Sequence, residues 1–289
     1  MITIRVGGVP EHFNLPIHLA KEAGFFERAG INLEWQDFGG GTGAMTRALR
    51  EDSCDICILL TEGIITDIIN GNPTQIISGY VKSPLIWGIH TIANGTKYSK
   101  DSIFDQKIAI SRKGSGSHLM PIVNALIEGQ TIENEHFVEI KDIHGGLKSL
   151  QAGTADIFYW EKYTTKPYVK AGKLNRIGEF ISPWPCFMIA ATNNIIKAHP
   201  DLLDIFLKIV NRSCEAFMKN PDAPKMVSDR YNIELKDATY WFHSTEWSVN
   251  SWVSDKTLLS VVFALKEAGI INEEATTKGL VWLRDQIAH

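Results

Sequence analysis

The chain has 289 residues, of which 44% are hydrophobic, 21% charged and 10% aromatic. That length fits one large domain or two of ordinary size, and those proportions exclude a disordered, collagenous or coiled-coil chain. With 29 basic and 33 acidic residues the net charge is −4, without the concentrated basic surface of a nucleic-acid binder, and no apolar run reaches the ~18–20 residues of a membrane span.

Residues 2–9 are apolar and β-branched and predict a first strand. No basic, apolar or small-residue leader pattern precedes it, so a cytoplasmic protein is expected. Leu15, Leu19, Ala23 and Phe26 follow at helical spacing. A second strand is predicted at 31–38, a glycine loop at 39–43, and a helix face at Ala44, Met45, Ala48 and Leu49. Residues 55–60 read as a buried strand. Ile64, Ile65, Ile68 and Ile69 form a helical stripe closed by an Asn-Gly-Asn-Pro stop, and 75–81 is a fourth strand. Strand alternating with helix means βαβ units and a parallel sheet covered on both faces.

The alternation restarts at 107–111. A Gly-Ser-Gly-Ser loop and a stripe of Leu119, Met120, Val123, Leu126 and Ile127 come next, then strands at 136–140 and 156–160 around a short helix at 145–151. From Pro200 the chain reads as mostly helical, with a helix near 258–265 and a terminal one from about residue 279. An internal repeat links the two halves: Arg47-Ala-Leu leads to Asp55-Ile as Lys148-Ser-Leu leads to Asp156-Ile, at a constant offset of 101. The fold class predicted is α/β, two doubly wound lobes joined by a two-crossing hinge with a helical C-terminal tail. Turn chemistry at Pro84 and at 182–185 sets the lobes at 1–91 with 184–289, and at 92–183, the second inserted in the first. Ligands are expected at the carboxyl ends of the strands, in a cleft between the lobes.

Cys54 and Cys57 have CxxC spacing. On a strand an offset of three places them on opposite faces, so two packed core thiols are expected, and four cysteines at 54, 57, 186 and 214 make no disulfide framework. No cofactor motif occurs. His243 and Glu246, three apart, have no third ligand nearby, so no metal site is read.

Three loops of the first lobe and two of the second are the candidate ligand contacts. His12 and Phe13 end the first strand, where Asn14 is a good helix N-cap. Gly40, Gly41 and Thr42 open a helix with small residues, as do Thr61 and Glu62. In the second lobe Gly114, Ser115, Gly116, Ser117 and His118 add hydroxyls to an anion-favouring helix start. Trp160 and Glu161 end a strand, and the Trp could stack on a ligand ring. Trp184 and Phe187 are expected to pack at the second crossing, and Trp241, Trp247, Trp252 and Trp282 in the tail. No HExxH, GxSxG or zinc-type spacing is found. The sequence therefore favours binding over catalysis. Were there a reaction, His12, His118, His144 and Glu161 would be its acid–base residues, although His144 reads first as a loop cap.

The segment from Leu19 to Ile31, Leu-Ala-Lys-Glu-Ala-Gly-Phe-Phe-Glu-Arg-Ala-Gly-Ile, carries a family resemblance. With the 39–43 loop, Asp55-Ile56, Gly71-Asn-Pro73, Lys107 to Ile110 and Gly114 to His118, it is similar to type II periplasmic binding proteins of the sulfonate, nitrate and taurine uptake kind. That group also includes proteins resembling fungal thiamine-pyrimidine synthases and signal-less cytosolic members. The resemblance implies a hinge-closing binder of small, often anionic molecules, contacted from the loop after strand one and from the 39–43 and 114–118 loops. The synthases carry a cysteine-rich motif where this chain has Pro185-Cys-Phe187. The expected function is binding of a polar sulfonate-, phosphate- or pyrimidine-like molecule, with no nucleic acid and no membrane insertion, the oligomeric state being left open. One alternative is a cytosolic enzyme on this scaffold, of the thiamine-pyrimidine or menaquinone biosynthesis kind. The other is an exported receptor, with a transporter partner only if exported.

Overall fold

The computed structural model describes residues 1–95, 98 and 100–284. The chain folds as two α/β units, each on its own five-stranded sheet, with a helical C-terminal region. One unit holds Met1–Ser83, Trp184–Phe263 and the chain from Ile271 on; the other holds Pro84–Pro183 with Ala264–Ile270.

In the first unit, β1 (Ile2–Gly8), β2 (Ile31–Asp37), β3 (Ile56–Leu60) and β4 (Thr74–Val81) come from the opening alternation. In the second lie β5 (Ile86–Ile92), β6 (Ile108–Ile110), β7 (Phe137–Glu139), β8 (Ile157–Glu161) and β9 (Leu174–Ile181). The chain then returns to the first unit as β10 (Phe187–Thr192). The sheet orders are β2-β1-β3-β10-β4 and β7-β6-β8-β5-β9. β3 is a continuous apolar run, every residue buried, as expected of a strand covered on both faces.

Several expectations are corrected. Both sheets are mixed. β10 runs antiparallel between β3 and β4, and β5 antiparallel between β8 and β9. The first crossing falls at Ser83/Pro84, earlier than 91/92, because Ile86–Ile92 hydrogen-bonds along β8 and β9 of the second unit. No helix starts at 279 within the described residues. Instead Ile76 N–H donates to Leu280 O (2.8 Å) and Trp282 N–H donates to Ile76 O (2.9 Å), so the tail covers the outer edge of β4. Cys54 precedes β3 instead of lying on it. The strand offset therefore does not apply to the pair; both thiols are buried and free, as expected of core cysteines, with Cys54 Sγ donating to Arg5 O (3.3 Å) and Ile56 O (3.2 Å) and Cys57 Sγ to Met45 O (3.9 Å).

The 101-residue repeat has a structural cause. Asp55 precedes β3 and its carboxylate accepts the Arg5 backbone N–H (2.7 Å); Asp156 precedes β8 and accepts the Lys107 backbone N–H (3.3 Å). The return bonds also match: Asp55 N–H donates to Arg5 O (2.9 Å) and Asp156 N–H to Lys107 O (2.8 Å). Each aspartate clamps its strand to the neighbouring one. Arg5 reinforces the first clamp with its guanidinium, at 3.1 and 2.5 Å.

In the second unit Ala109, Leu147, Leu150, Phe158 and Leu174 form one apolar cluster. The helix Ile143–Ala152 meets it through a tight reversal, where Lys141 takes a positive φ of 71° and the Asp142 carboxylate caps Gly145 N–H at 2.8 Å. A Cβ on Gly145 would lie 1.8 Å from Ile140 O. Gly145→Ala is expected to cost about 2 kcal/mol, because backbone must move to admit it. A urea midpoint close to the wild type's would show that the reversal tolerates a side chain.

Candidate functional site

Parallel pairing of β2, β1 and β3 brings three strand-to-helix loops to one edge of the first sheet. Antiparallel β10 starts at that same edge, so Trp184, Pro185 and Cys186 join them.

His12, Phe13 and Asn14 form a short 3-10 turn after β1 and are all buried. The His12 ring stacks on Phe13 (4.8 Å) and meets Trp241 edge-on (4.2 Å). Burial lowers its pKa to about 3, so the imidazole is neutral. Phe13 packs on Phe187 and Trp241, and its carbonyl accepts from Tyr80 Oη (2.8 Å) and Trp247 Nε1 (3.0 Å). Asn14 makes no side-chain cap. Its Nδ2 donates instead to Val9 O (2.8 Å), and its Oδ1 is buried with no partner among the described residues.

Gly40 and Gly41 lie in the loop after β2, and Gly41, at φ 66°, precedes the helix Thr42–Arg50. Thr42 Oγ1 accepts the Leu60 N–H (3.2 Å), which ties this loop to the end of β3. Thr61 donates through Oγ1 to Pro185 O (2.5 Å) and through its N–H to Cys186 O (3.0 Å). The threonines thus fix the loops to one another.

Glu62 is the exception at this edge. It is 1% exposed, in the first turn of the helix Thr61–Ile69. Trp184 Nε1 donates to its Oε2 at 2.9 Å, while Oε1 has no partner among the described residues. Burial raises its pKa to about 7, against the opposing indole and backbone N–H donors. Near neutral pH both forms of this carboxyl are accessible. The Oε1 position then accepts when ionised and donates when protonated.

In the second unit the parallel strands β7, β6 and β8 gather the remaining candidates at one edge. The hydroxyls expected to face a ligand are tied up within the loop. Ser117 Oγ accepts the Ser111 N–H (2.8 Å) and lies 3.1 Å from Ser115 Oγ, which donates to Arg112 O (2.7 Å). Gly114, at φ 75°, donates its N–H to His118 Nδ1 (3.0 Å), and Gly116 begins the helix Gly116–Ile127. That bond fixes the neutral tautomer: Nε2 of His118 carries the proton, as a buried donor without a partner among the described residues. Burial, then Lys113, lowers the His118 pKa to about 4.

Trp160 stacks on Phe158 (5.2 Å), at the rim of the core. Glu161 caps the helix Lys162–Lys170, its Oε2 accepting Thr164 N–H (2.6 Å) and Oγ1 (2.8 Å). His144 is exposed on its helix, and the cap expected of it is made by Asp142. Glu246 pairs with Lys82 (3.2 Å), and among the described residues no group of three His, Cys, Asp or Glu could hold a metal. No described helix is long and apolar enough to cross a membrane. Each unit adds one residue to its candidates: in the first, Trp184, the partner of Glu62; in the second, Trp87, opposite Glu161 across β5 and β8, whose buried indole N–H has no partner among the described residues. A tryptophan locked between Pro183 and Pro185 was the available signal for the first.

Residues 87–180 match the family described as Ca3427-like PBP. The chain is similar in structure to the Candida albicans CA3427 gene product, which defines a family with the generic periplasmic binding protein fold. The two are 26% identical with a TM-score of 0.88 over 95% of this chain and 92% of that one. It also matches the alkanesulfonate-binding protein SsuA of Xanthomonas axonopodis pv. citri bound to MOPS, at 11% identity and TM-score 0.80 over 97% and 98% of the two chains. The aliphatic sulphonate binding protein SsuA of Escherichia coli matches at 12% identity and TM-score 0.73, over 98% of each chain. The two SsuA likenesses are of fold alone. No curated protein sequence matches the chain.

Proposed function

From the premise that this chain is a protein of the type II periplasmic-binding-protein fold, we propose that it binds a small molecule carrying both an N–H donor and an anionic group, of the phosphorylated aminopyrimidine kind. The observation that carries this reading is Glu62. A carboxyl 1% exposed with one oxygen unpartnered is costly to keep, and a ligand N–H at Oε1 offsets that cost. A plain sulfonate offers only acceptors and meets the ionised carboxylate as a like charge. Within the second unit, taken by itself, a helix start beside His118 Nε2–H, with Arg112 and Lys113 in the same loop, has the chemistry to receive an anionic group.

Calorimetric titration with a phosphorylated 4-aminopyrimidine and with ethanesulfonate tests the reading. The pyrimidine is expected to bind one to one and at least tenfold more tightly. Glu62→Gln keeps the acceptor for Trp184 but sets an amide N–H against the ligand donor, and is expected to weaken binding by about tenfold to a hundredfold, the effect of one unpaired buried donor. Equal affinity for both probes, or an unaltered Glu62→Gln, defeats the assignment.

A pKa near 7 also favours a second reading, in which Glu62 moves a proton during a reaction on this scaffold. Chemical change of the bound pyrimidine over time, followed by NMR and abolished in Glu62→Gln, is the result expected of an enzyme. An unchanged ligand spectrum excludes that reaction.

A further inference from the structure

The helix Pro200–Met218 and the short helix Phe25–Arg28 enclose a groove of about 570 Å³ within the first unit. Its floor is apolar. Phe25 and Ile205 are 46% and 37% exposed, and Ile209 lies one turn beyond Ile205. Its rim is basic, with Arg28, Lys208 and Arg212 among the lining residues and no acidic residue. Lys208 and Arg212 are four apart and share a helix face; neither has an ion-pair partner among the described residues. The Arg28 guanidinium is held 5.0 Å over the Phe25 ring and donates to Ala23 O at 2.9 Å. On a chain of net charge −4 this is a local reversal of sign over exposed apolar surface.

We propose that this groove binds a free, monomeric anionic amphiphile: a single alkyl chain ending in a carboxylate, sulfonate or sulfate. The chain would cover Phe25, Ile205 and Ile209, and the head group would meet the three cations. Size argues for a small molecule over a protein partner. Nine lining residues fall well short of the roughly 20–30 per side of a stable protein interface. The volume lies inside the ~300–1,000 Å³ of small-molecule pockets. The fixed guanidinium and the unpaired Lys208 and Arg212 supply the charge selectivity.

Decanoate, below its micellar concentration, is the probe. Saturable one-to-one binding is expected by calorimetry, with shifts of the Ile205 and Ile209 methyl signals in NMR and weakening at higher salt. The double variant Lys208→Glu/Arg212→Glu is expected to bind about tenfold or more weakly, and Lys208→Gln/Arg212→Gln to fall between. All four substitutions are at exposed helix positions, so the variants should fold. Decyltrimethylammonium is expected not to compete. Equal binding of that cation, decanoate affinity indifferent to charge reversal, or binding only to vesicles of anionic phospholipid each overturns the proposal.

Discussion

Relative to the wild type, Glu62→Gln is expected to gain about 3 kcal/mol of stability as pH rises from 4.5 to 8. The carboxyl has a pKa of 4.5 when solvated and about 7 when folded. Between those values the unfolded chain releases the proton while the native protein keeps it. The unfolded state therefore binds fewer protons, and native stability falls as pH rises. Glu62 contributes fully below pH 4.5, its contribution declines from there to pH 7, and above pH 7 the full penalty stands. A gap of this size corresponds to about 3 kcal/mol, or roughly 6–12 °C in the unfolding midpoint of a unit this large. Glutamine has no such ionisation and can still accept the Trp184 N–H bonded to Oε2. Comparing the two proteins at both pH values cancels the steric cost of the amide, and Glu161, whose pKa burial also raises, is present in both. Parallel stability–pH curves would mean that Glu62 is solvated as an ordinary carboxylate. Under the proposed function, the variant most stable at pH 8 is also the one expected to bind the aminopyrimidine phosphate more weakly, a trade-off of stability against binding.

The part of this fold legible in sequence was the part with local periodicity. β1, β2, β3, β6 and β8 announce themselves as apolar runs between helical stripes, and the paired Asp55 and Asp156 exposed the duplication behind them. The strands missed were β5, β9 and β10. β5 and β10 each lie between two strands from elsewhere in the chain, and a pairing partner leaves no mark on periodicity. β9 alternates poorly, with Arg176, Gly178 and Glu179 inside it. The candidate loops were found because strand ends are predictable in α/β sheets, but the state of each side chain was not. Glu62 is set by Trp184, 122 residues away, and His12 by Trp241 in the helical region. Asn14 and the loop serines had the right residue types for caps. Asn14 Nδ2 and Ser115 Oγ instead donate to the local carbonyls of Val9 and Arg112, and neither side chain accepts from its helix.

Trp247→Ala is expected to destabilise the first unit by about 3–5 kcal/mol, the range for deleting a buried aromatic side chain, and to weaken ligand binding with it. Trp247 is fully buried. Its ring meets Phe217 (5.4 Å) and Trp241 (5.5 Å) edge-on, and its Nε1 donates to Phe13 O at 3.0 Å. Backbone bonds on either side bind the helical region to the end of β4, with Lys82 N–H donating to Glu246 O (2.8 Å) and Ser248 N–H to Tyr80 O (2.7 Å). This one side chain therefore joins the tail, β4 and the 12–14 turn. Trp247→Phe separates the two contributions. It keeps most of the packing and removes the N–H, and since Tyr80 still donates to the Phe13 carbonyl (2.8 Å), a loss of only about 1 kcal/mol is expected. Thermal unfolding at neutral pH should order the proteins wild type, Trp247→Phe, Trp247→Ala. Titration with the aminopyrimidine phosphate should show the alanine variant binding more weakly at temperatures where it remains folded, because Trp241 and Phe13, which pack His12, lose their support. An alanine variant as stable as the phenylalanine one would show that hydrogen bonding, and not packing, holds the turn in place. One that is destabilised yet binds normally would show that the 12–14 turn is positioned without the helical region.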